Sequence, residues 1–224
     1  MYEIEIKSWL GSPERAARLQ SDLIDLDPES TVIERSLQLN HYFVQGDLSQ
    51  LAILVKPLLT KKNQTLLAKI VSTGRHPSVR TRQLNSRVLL VIKATVDQTT
   101  SSNGISRWEF EAPLPLSLDQ LDHLVLSAQY VYQAKWSRRR QAFKLTKWPV
   151  VVAIDQNAGY GFLAELEIQV SSQTRISGAK NTIHQLMGRL QLAELSQERL
   201  ARMFDHYNRH WPEYYGTDKT FVVE

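Results

Sequence analysis

The sequence contains no cysteine, which excludes disulfides and thiolate metal sites and fits a reducing cytoplasm. Any metal is therefore left to oxygen or imidazole ligands. Long apolar runs are missing too: the longest, Val88-Leu89-Leu90-Val91-Ile92 and Pro149-Val150-Val151-Val152-Ala153-Ile154, are strand-sized, so no transmembrane helix is expected. At the N-terminus a charged alternating stretch stands where a signal peptide would need an apolar one. The expected location is cytoplasmic, with no membrane partner. No GK[ST] follows the glycines of Asn157 to Gly161, which read as a hairpin turn and not as a phosphate loop. His206 and His210 lie four apart on an expected helix, but without HExxH they read as an exposed helix face and not as a zinc site. Internal repeats and low-complexity tracts are absent.

What is present suits one compact domain spanning 1–224, because 42% of the 224 residues are hydrophobic and 22% are charged. The formal charge of +4 favours anionic partners without indicating nucleic acid. Trp9, Trp108, Trp136, Trp148 and Trp211 read as packing residues, not as platforms for stacked bases.

Hydrophobic periodicity divides the chain into strands with helices at intervals. Ser12-Pro13-Glu14 supplies an N-cap, a first-turn proline and an acidic first turn for a helix to about Leu26. Residues Val32 to Gln45 alternate as one or two strands, and a helical segment is inserted at about 47–72, broken or bent at Pro57. Strands are expected at Val79 to Gln83, Arg87 to Val96 and Ile105 to Ala112, the last two joined through an Asn103-Gly104 turn. After a helix from Ser117 to about Ala128, further strands run over Val131 to Lys135, Arg138 to Leu145, Val150 to Asp155 and Gly161 to Ser171. A helical region at about 179–211 follows, with Leu186, Leu190, Leu200 and Phe204 among its buried candidates. This order argues for the α+β class, built on an antiparallel barrel or strongly curved sheet.

Charge alternates on several of these strands. In Tyr2-Glu3-Ile4-Glu5-Ile6-Lys7, Glu3, Glu5 and Lys7 share one face, because side chains two apart project the same way. The pattern recurs at Arg80-Thr81-Arg82, Arg107-Trp108-Glu109-Phe110-Glu111, Arg138-Arg139-Arg140 and Glu165-Leu166-Glu167. Paired carboxylates suit Mg2+ or Mn2+, which take hard oxygen ligands and share them with phosphates. Lys7, Arg80, Arg82, Lys93, Arg107, Arg138 and Arg140 suit phosphate oxygens. Any one pair is also what a solvated strand face carries; only the whole set favours a site. Strand phase decides the arginine run: if Arg138 and Arg140 face the site, Arg139 does not.

In their order along residues 1 to 170 these motifs resemble the CYTH superfamily of triphosphate tunnel metalloenzymes, which includes class IV adenylyl cyclases and thiamine triphosphatases. Glu3-Ile4-Glu5-Ile6-Lys7 resembles the family's ExExK, Arg80-Thr81-Arg82 its RxR strand, and Leu89-Leu90-Val91-Ile92-Lys93 its strand ending in lysine. Arg107 to Glu111 resembles RxExE, Arg138 to Arg140 the later basic strand, Asp155 the acidic end of the next, and Glu165-Leu166-Glu167 the late ExE. The resemblance implies an eight-stranded antiparallel β-barrel, a tunnel with flanking helices. In it Glu3, Glu5, Glu165 and Glu167 hold Mg2+ or Mn2+, and the basic residues hold a triphosphate.

Glu109, Glu111 and Asp155 are supporting acids in this reading; Glu109 and Glu111 either ligate metal or pair with neighbouring cations. Glu5 and Lys7 are both candidates for the proton acceptor. The implied activity is metal-dependent triphosphate hydrolysis, with inorganic triphosphate as the leading substrate. The alternatives are cyclisation of ATP, hydrolysis of a thiamine or nucleoside triphosphate, and a non-catalytic polyphosphate- or nucleotide-binding tunnel. Val44 stands where many relatives carry an acid and Ala94 where glycine is common, departures that bear on substrate more than on fold.

Overall fold

Alternating apolar and charged residues form strands here because the pleat sends successive side chains to opposite faces. The computed structural model describes residues 2–95 and 107–223, and the side chains at 2, 3, 95, 107 and 108 lie outside that description. The Asn103-Gly104 turn expected from sequence also lies outside the described residues.

Among the described residues there are eight strands: β1 (Tyr2–Trp9), β2 (Thr31–Gln45), β3 (Arg75–Leu84), β4 (Arg87–Thr95), β5 (Arg107–Leu114), β6 (Tyr130–Lys144), β7 (Val151–Asn157) and β8 (Gly161–Val170). They form one antiparallel sheet in the order β1-β8-β7-β6-β2-β3-β4-β5. Among the described residues six helices flank it: α1 (Pro13–Leu26), α2 (Leu48–Val55), α3 (Lys61–Thr73), α4 (Leu118–Ser127), α5 (Ile176–Arg189) and α6 (Gln197–Tyr214). The α+β class and the eight antiparallel strands thus agree with the sequence reading.

The described residues divide into two compact units, the first holding 2–36 and 137–223 and the second 37–95 and 107–136. In the first, Ser12 caps α1 by accepting from the Arg15 N–H, and Ala16, Leu19 and Leu23 form the buried stripe of that helix. These pack with Ile4, Ile6, Leu166, Ile168, Ile183 and Leu186 into an apolar core on one face of β1 and β8. Asp27, just beyond α1, accepts hydrogen bonds from the Thr146 N–H, the Thr146 hydroxyl and the Lys147 N–H, which pins the turn after β6.

In the second unit Leu51, Val55, Leu67 and Ile70 from α2 and α3 join Val79, Leu90, Ile92, Phe110, Leu121 and Val125 in a separate core. Pro57 does end the helix, since Lys56–Leu58 forms a single tight turn and Thr60 caps α3 by accepting from the Asn63 N–H. Gly46 has φ of 77° and a Cβ there would stand 2.3 Å from the Tyr130 ring, so this bend admits only glycine.

Three expectations change. The stretches expected as strands at Val131 to Lys135 and at Arg138 to Leu145 are one strand, β6, because Trp136 and Ser137 stay extended between them. The C-terminal helices occupy 176–214, not 179–211, with a break before Gln197. On α6 the buried residues are Met203 and Tyr207, while Phe204 is 40% exposed; the apolar stripe lies one residue away from the expected phase.

Candidate active site

The register places the charged residues of the first unit on one face. In β1 and β8, Glu5 stands opposite Glu167 and Lys7 opposite Glu165. Across β8, β7 and β6, Asp155 pairs in register with Arg140, and Asn157 with Arg138. Ile4, Ile6, Leu166 and Ile168 take the other face and are buried in the core.

A continuous ion-pair network follows from this register. Lys7 Nζ donates to Glu5 and, at 2.8 Å, to Glu165. Arg140 donates to both oxygens of Asp155, through Nε at 2.7 Å and Nη2 at 2.6 Å, and also to Glu165. Arg138 reaches Asp155 at 3.0 Å and lies 3.9 Å from Glu165. Asp155 is 1% exposed, so it is a buried anchor between two guanidiniums. Burial pushes the Glu165 carboxyl up, but Lys7, Arg140 and Arg138 outweigh burial and hold it well below the usual carboxylate range. Burial likewise works against the charge of Arg140, and Asp155 and Glu165 raise its pKa in spite of it. Arg139 leaves this network, donating to Gln156 and lying 3.7 Å from Asp218.

The second unit carries a comparable face. Tyr42 stands opposite Arg80 and Asn40 opposite Arg82, and the same face continues through Val91 and Lys93 to Glu111 and Glu109. Arg80 Nη1 donates to the Tyr42 hydroxyl at 2.8 Å, Arg82 Nε donates to Asn40 Oδ1 at 2.9 Å, and Arg82 Nη1 lies 3.4 Å from Glu111. Lys93 Nζ is 3.3 Å from Glu109. Glu109 and Glu111 thus act as partners of basic side chains. Arg80 Nε is buried with no hydrogen-bond partner among the described residues, and the guanidinium lies over the Tyr42 ring, 5.2 Å from its centre. Arg107 lies on β5 opposite Thr95, and Glu3 on β1 opposite Gln169, but both side chains lie outside the described residues.

Whether a divalent cation fits is decided by the acids. Glu5 and Glu167 face each other directly, an arrangement unfavourable for like charges that Lys7, paired with Glu5, offsets on one side only. Among the described residues no group of three acids or histidines forms a metal cage. Two carboxylates are enough for Mg2+ or Mn2+ when water and substrate phosphates complete the shell. The donor set therefore fits such a cation.

Behind the arginine pair of the second unit lies a network that sequence reasoning missed. His41 stands opposite Thr81, one register step from both the Tyr42–Arg80 and the Asn40–Arg82 pairs. Asp122 of α4 accepts from the Thr81 hydroxyl at 2.6 Å and from the Tyr132 hydroxyl at 2.7 Å, and lies 2.6 Å from His41 Nδ1. Burial pushes Asp122 up, but the His41, Thr81 and Tyr132 contacts prevail and hold it below its ordinary value. A signal was available: Leu118, Leu121, Asp122 and Val125 form the buried stripe of α4, and an acid on such a stripe calls for a buried partner.

A CYTH domain family model matches residues 72–201, over half of the chain. The chain belongs to the CYTH domain family. Solved structures similar to this CYTH chain include a conserved hypothetical protein of Pyrococcus furiosus, at 16% identity over 88% of this chain and 93% of that one, with a TM-score of 0.57. A Pyrococcus horikoshii protein matches at 16% identity over 88% and 92%, with a TM-score of 0.56. A Vibrio parahaemolyticus protein provisionally described as an adenylate cyclase matches at 13% identity over 88% and 94%, also at 0.56. At such identities the likeness is one of fold. No curated protein matches the sequence.

Proposed function

We propose that this chain, acting as a single CYTH domain, hydrolyses a triphosphate with the help of Mg2+ or Mn2+, inorganic triphosphate being the leading substrate. One observation carries the reading. Glu5 and Glu167 oppose each other on the face that also bears Lys7, Arg138 and Arg140, so acids fit for a cation and bases fit for phosphate share one surface. A pure anion binder gains nothing from an opposed acid pair, because it repels the ligand.

Glu5 and Glu167 would hold the cation, with Glu3 and Glu165 the further acids proposed for it. When bound, the cation supplies charge neutralisation at the terminal phosphate and a water of lowered pKa. Lys7, Arg138 and Arg140 bind phosphate oxygens, the arginines through their planar forks. Arg80, Arg82, Lys93 and Arg107 are proposed as further phosphate ligands, with Arg80 Nε the donor still unfilled. Asp155 and Glu165 hold the arginines in place before substrate arrives, which lowers the cost of ordering them on binding. The candidates for the proton acceptor are Glu5 and Lys7, whose side chains are paired with each other.

The test is a panel of inorganic triphosphate, ATP, GTP and thiamine triphosphate with magnesium, manganese or calcium, following both phosphate and cyclic nucleotide. Phosphate release from inorganic triphosphate supports the proposal. Cyclic AMP from ATP without phosphate release would replace it by a cyclase, and tight binding without any product would replace it by a non-catalytic binder.

A further inference from the structure

Asn157 ends β7 on the charged face of the first unit, two residues beyond Asp155 and in register with Arg138. It is 9% exposed, and its Nδ2 is buried with no hydrogen-bond partner among the described residues. A buried amide donor without an acceptor is destabilising, so its persistence calls for an explanation. The cationic donors around it have acceptors already: Arg138 has Asp155, Arg140 has Asp155 and Glu165, and Lys7 has Glu5 and Glu165. A role confined to forming the following turn would not leave this side-chain donor buried and unsatisfied.

We propose that the Asn157 side-chain amide is a substrate ligand that donates its Nδ2–H to an oxygen of the bound triphosphate. This rests on the triphosphate reading above and extends it to a residue outside the charged set. The missing partner must be an acceptor at a place where Arg138 is the register neighbour, and a phosphate oxygen meets both demands. Being neutral, Asn157 adds orientation to a site whose attraction is supplied by its cations. Asparagine in this place also tolerates an anion that an acid would repel.

The test compares wild-type protein with Asn157→Leu and Asn157→Asp for hydrolysis of inorganic triphosphate. The expected result is a KM raised about 10- to 100-fold in Asn157→Leu, more in Asn157→Asp, with kcat changed far less, as for a hydrogen bond to a charged group made in ground and transition states alike. Should either variant fail to fold, the wild-type protein decides alone: the Asn157 side-chain NH2 resonance must shift when metal-free inorganic triphosphate is added. Normal KM in folded variants, or an unmoved resonance in a wild-type protein that binds inorganic triphosphate, overturns the role of Asn157 and leaves the triphosphate reading standing. A wild-type protein that neither binds nor hydrolyses any triphosphate overturns both.

Discussion

Replacing Asp155 by asparagine removes the charge on which two guanidiniums converge, while keeping the shape of the side chain. The carboxylate receives three contacts, from Arg138 Nη1 at 3.0 Å and from Arg140 Nε at 2.7 Å and Nη2 at 2.6 Å. At about 1.5–3 kcal/mol for each charged hydrogen bond the gross loss would be about 4.5–9 kcal/mol. The net is smaller, because the asparagine Oδ1 still accepts and Glu165 remains beside both arginines. Removing one partner of a buried ion pair costs about 3–5 kcal/mol, and that range is the expectation here. For a chain of this length it corresponds to a fall in Tm of about 6–20 °C at roughly 2–4 °C per kcal/mol. Thermal and urea unfolding of wild type and Asp155→Asn would measure it, each with and without inorganic triphosphate in the presence of a chelator. The anion should stabilise the variant more than the wild type, since it restores negative charge to the same arginines. A loss below about 1 kcal/mol would refute the reasoning that Asp155 anchors them.

Glu165 gives a pH dependence with a definite sign. Its carboxyl is held at about 2 in the folded chain against an ordinary value of 4.5, so its stabilisation is fully present above about 4.5 and is lost as pH falls toward about 2. Urea unfolding across that window should show stability falling with acidity, less steeply in Glu165→Gln; equal slopes in the two proteins would exclude the assignment. Asp122→Ala strips acceptors from Thr81 and Tyr132 and the partner from His41, all around a buried position, and should destabilise by about 3–5 kcal/mol. It should also raise KM for inorganic triphosphate, because Thr81, which Asp122 anchors, lies between Arg80 and Arg82 on β3. A destabilised variant with unchanged KM would limit Asp122 to folding.

Much of the fold was legible because the charged alternation is regular. In Glu3 to Lys7 and in Glu165 to Glu167 the pleat alone fixes which residues share a face. The choice among Arg138, Arg139 and Arg140 was not, since a strand read in isolation has two possible phases. Pairing with β7, which puts Asp155 opposite Arg140, removes the ambiguity. Asp122 and Asn157 escaped for another reason: each is a lone polar residue whose meaning lies in partners distant along the chain, or in the lack of one. Phe204 was misplaced because α6 has apolar residues on either side of its true stripe: both Phe204 and Tyr207 meet the Tyr160 ring, but Tyr207 also packs against Phe221 and is fully buried.

The opposed carboxylates Glu5 and Glu167 are proposed to hold a divalent cation that acts on a triphosphate. Phosphate release from inorganic triphosphate, measured against Mg2+ or Mn2+ concentration for wild type, Glu5→Gln and Glu167→Gln, tests this most directly. Expected is metal-dependent release in wild type, abolished by chelator and reduced at least about 100-fold in Glu5→Gln, with Glu167→Gln needing more metal for its residual rate. Release at wild-type rate and wild-type metal dependence in both variants would contradict this role of the two acids.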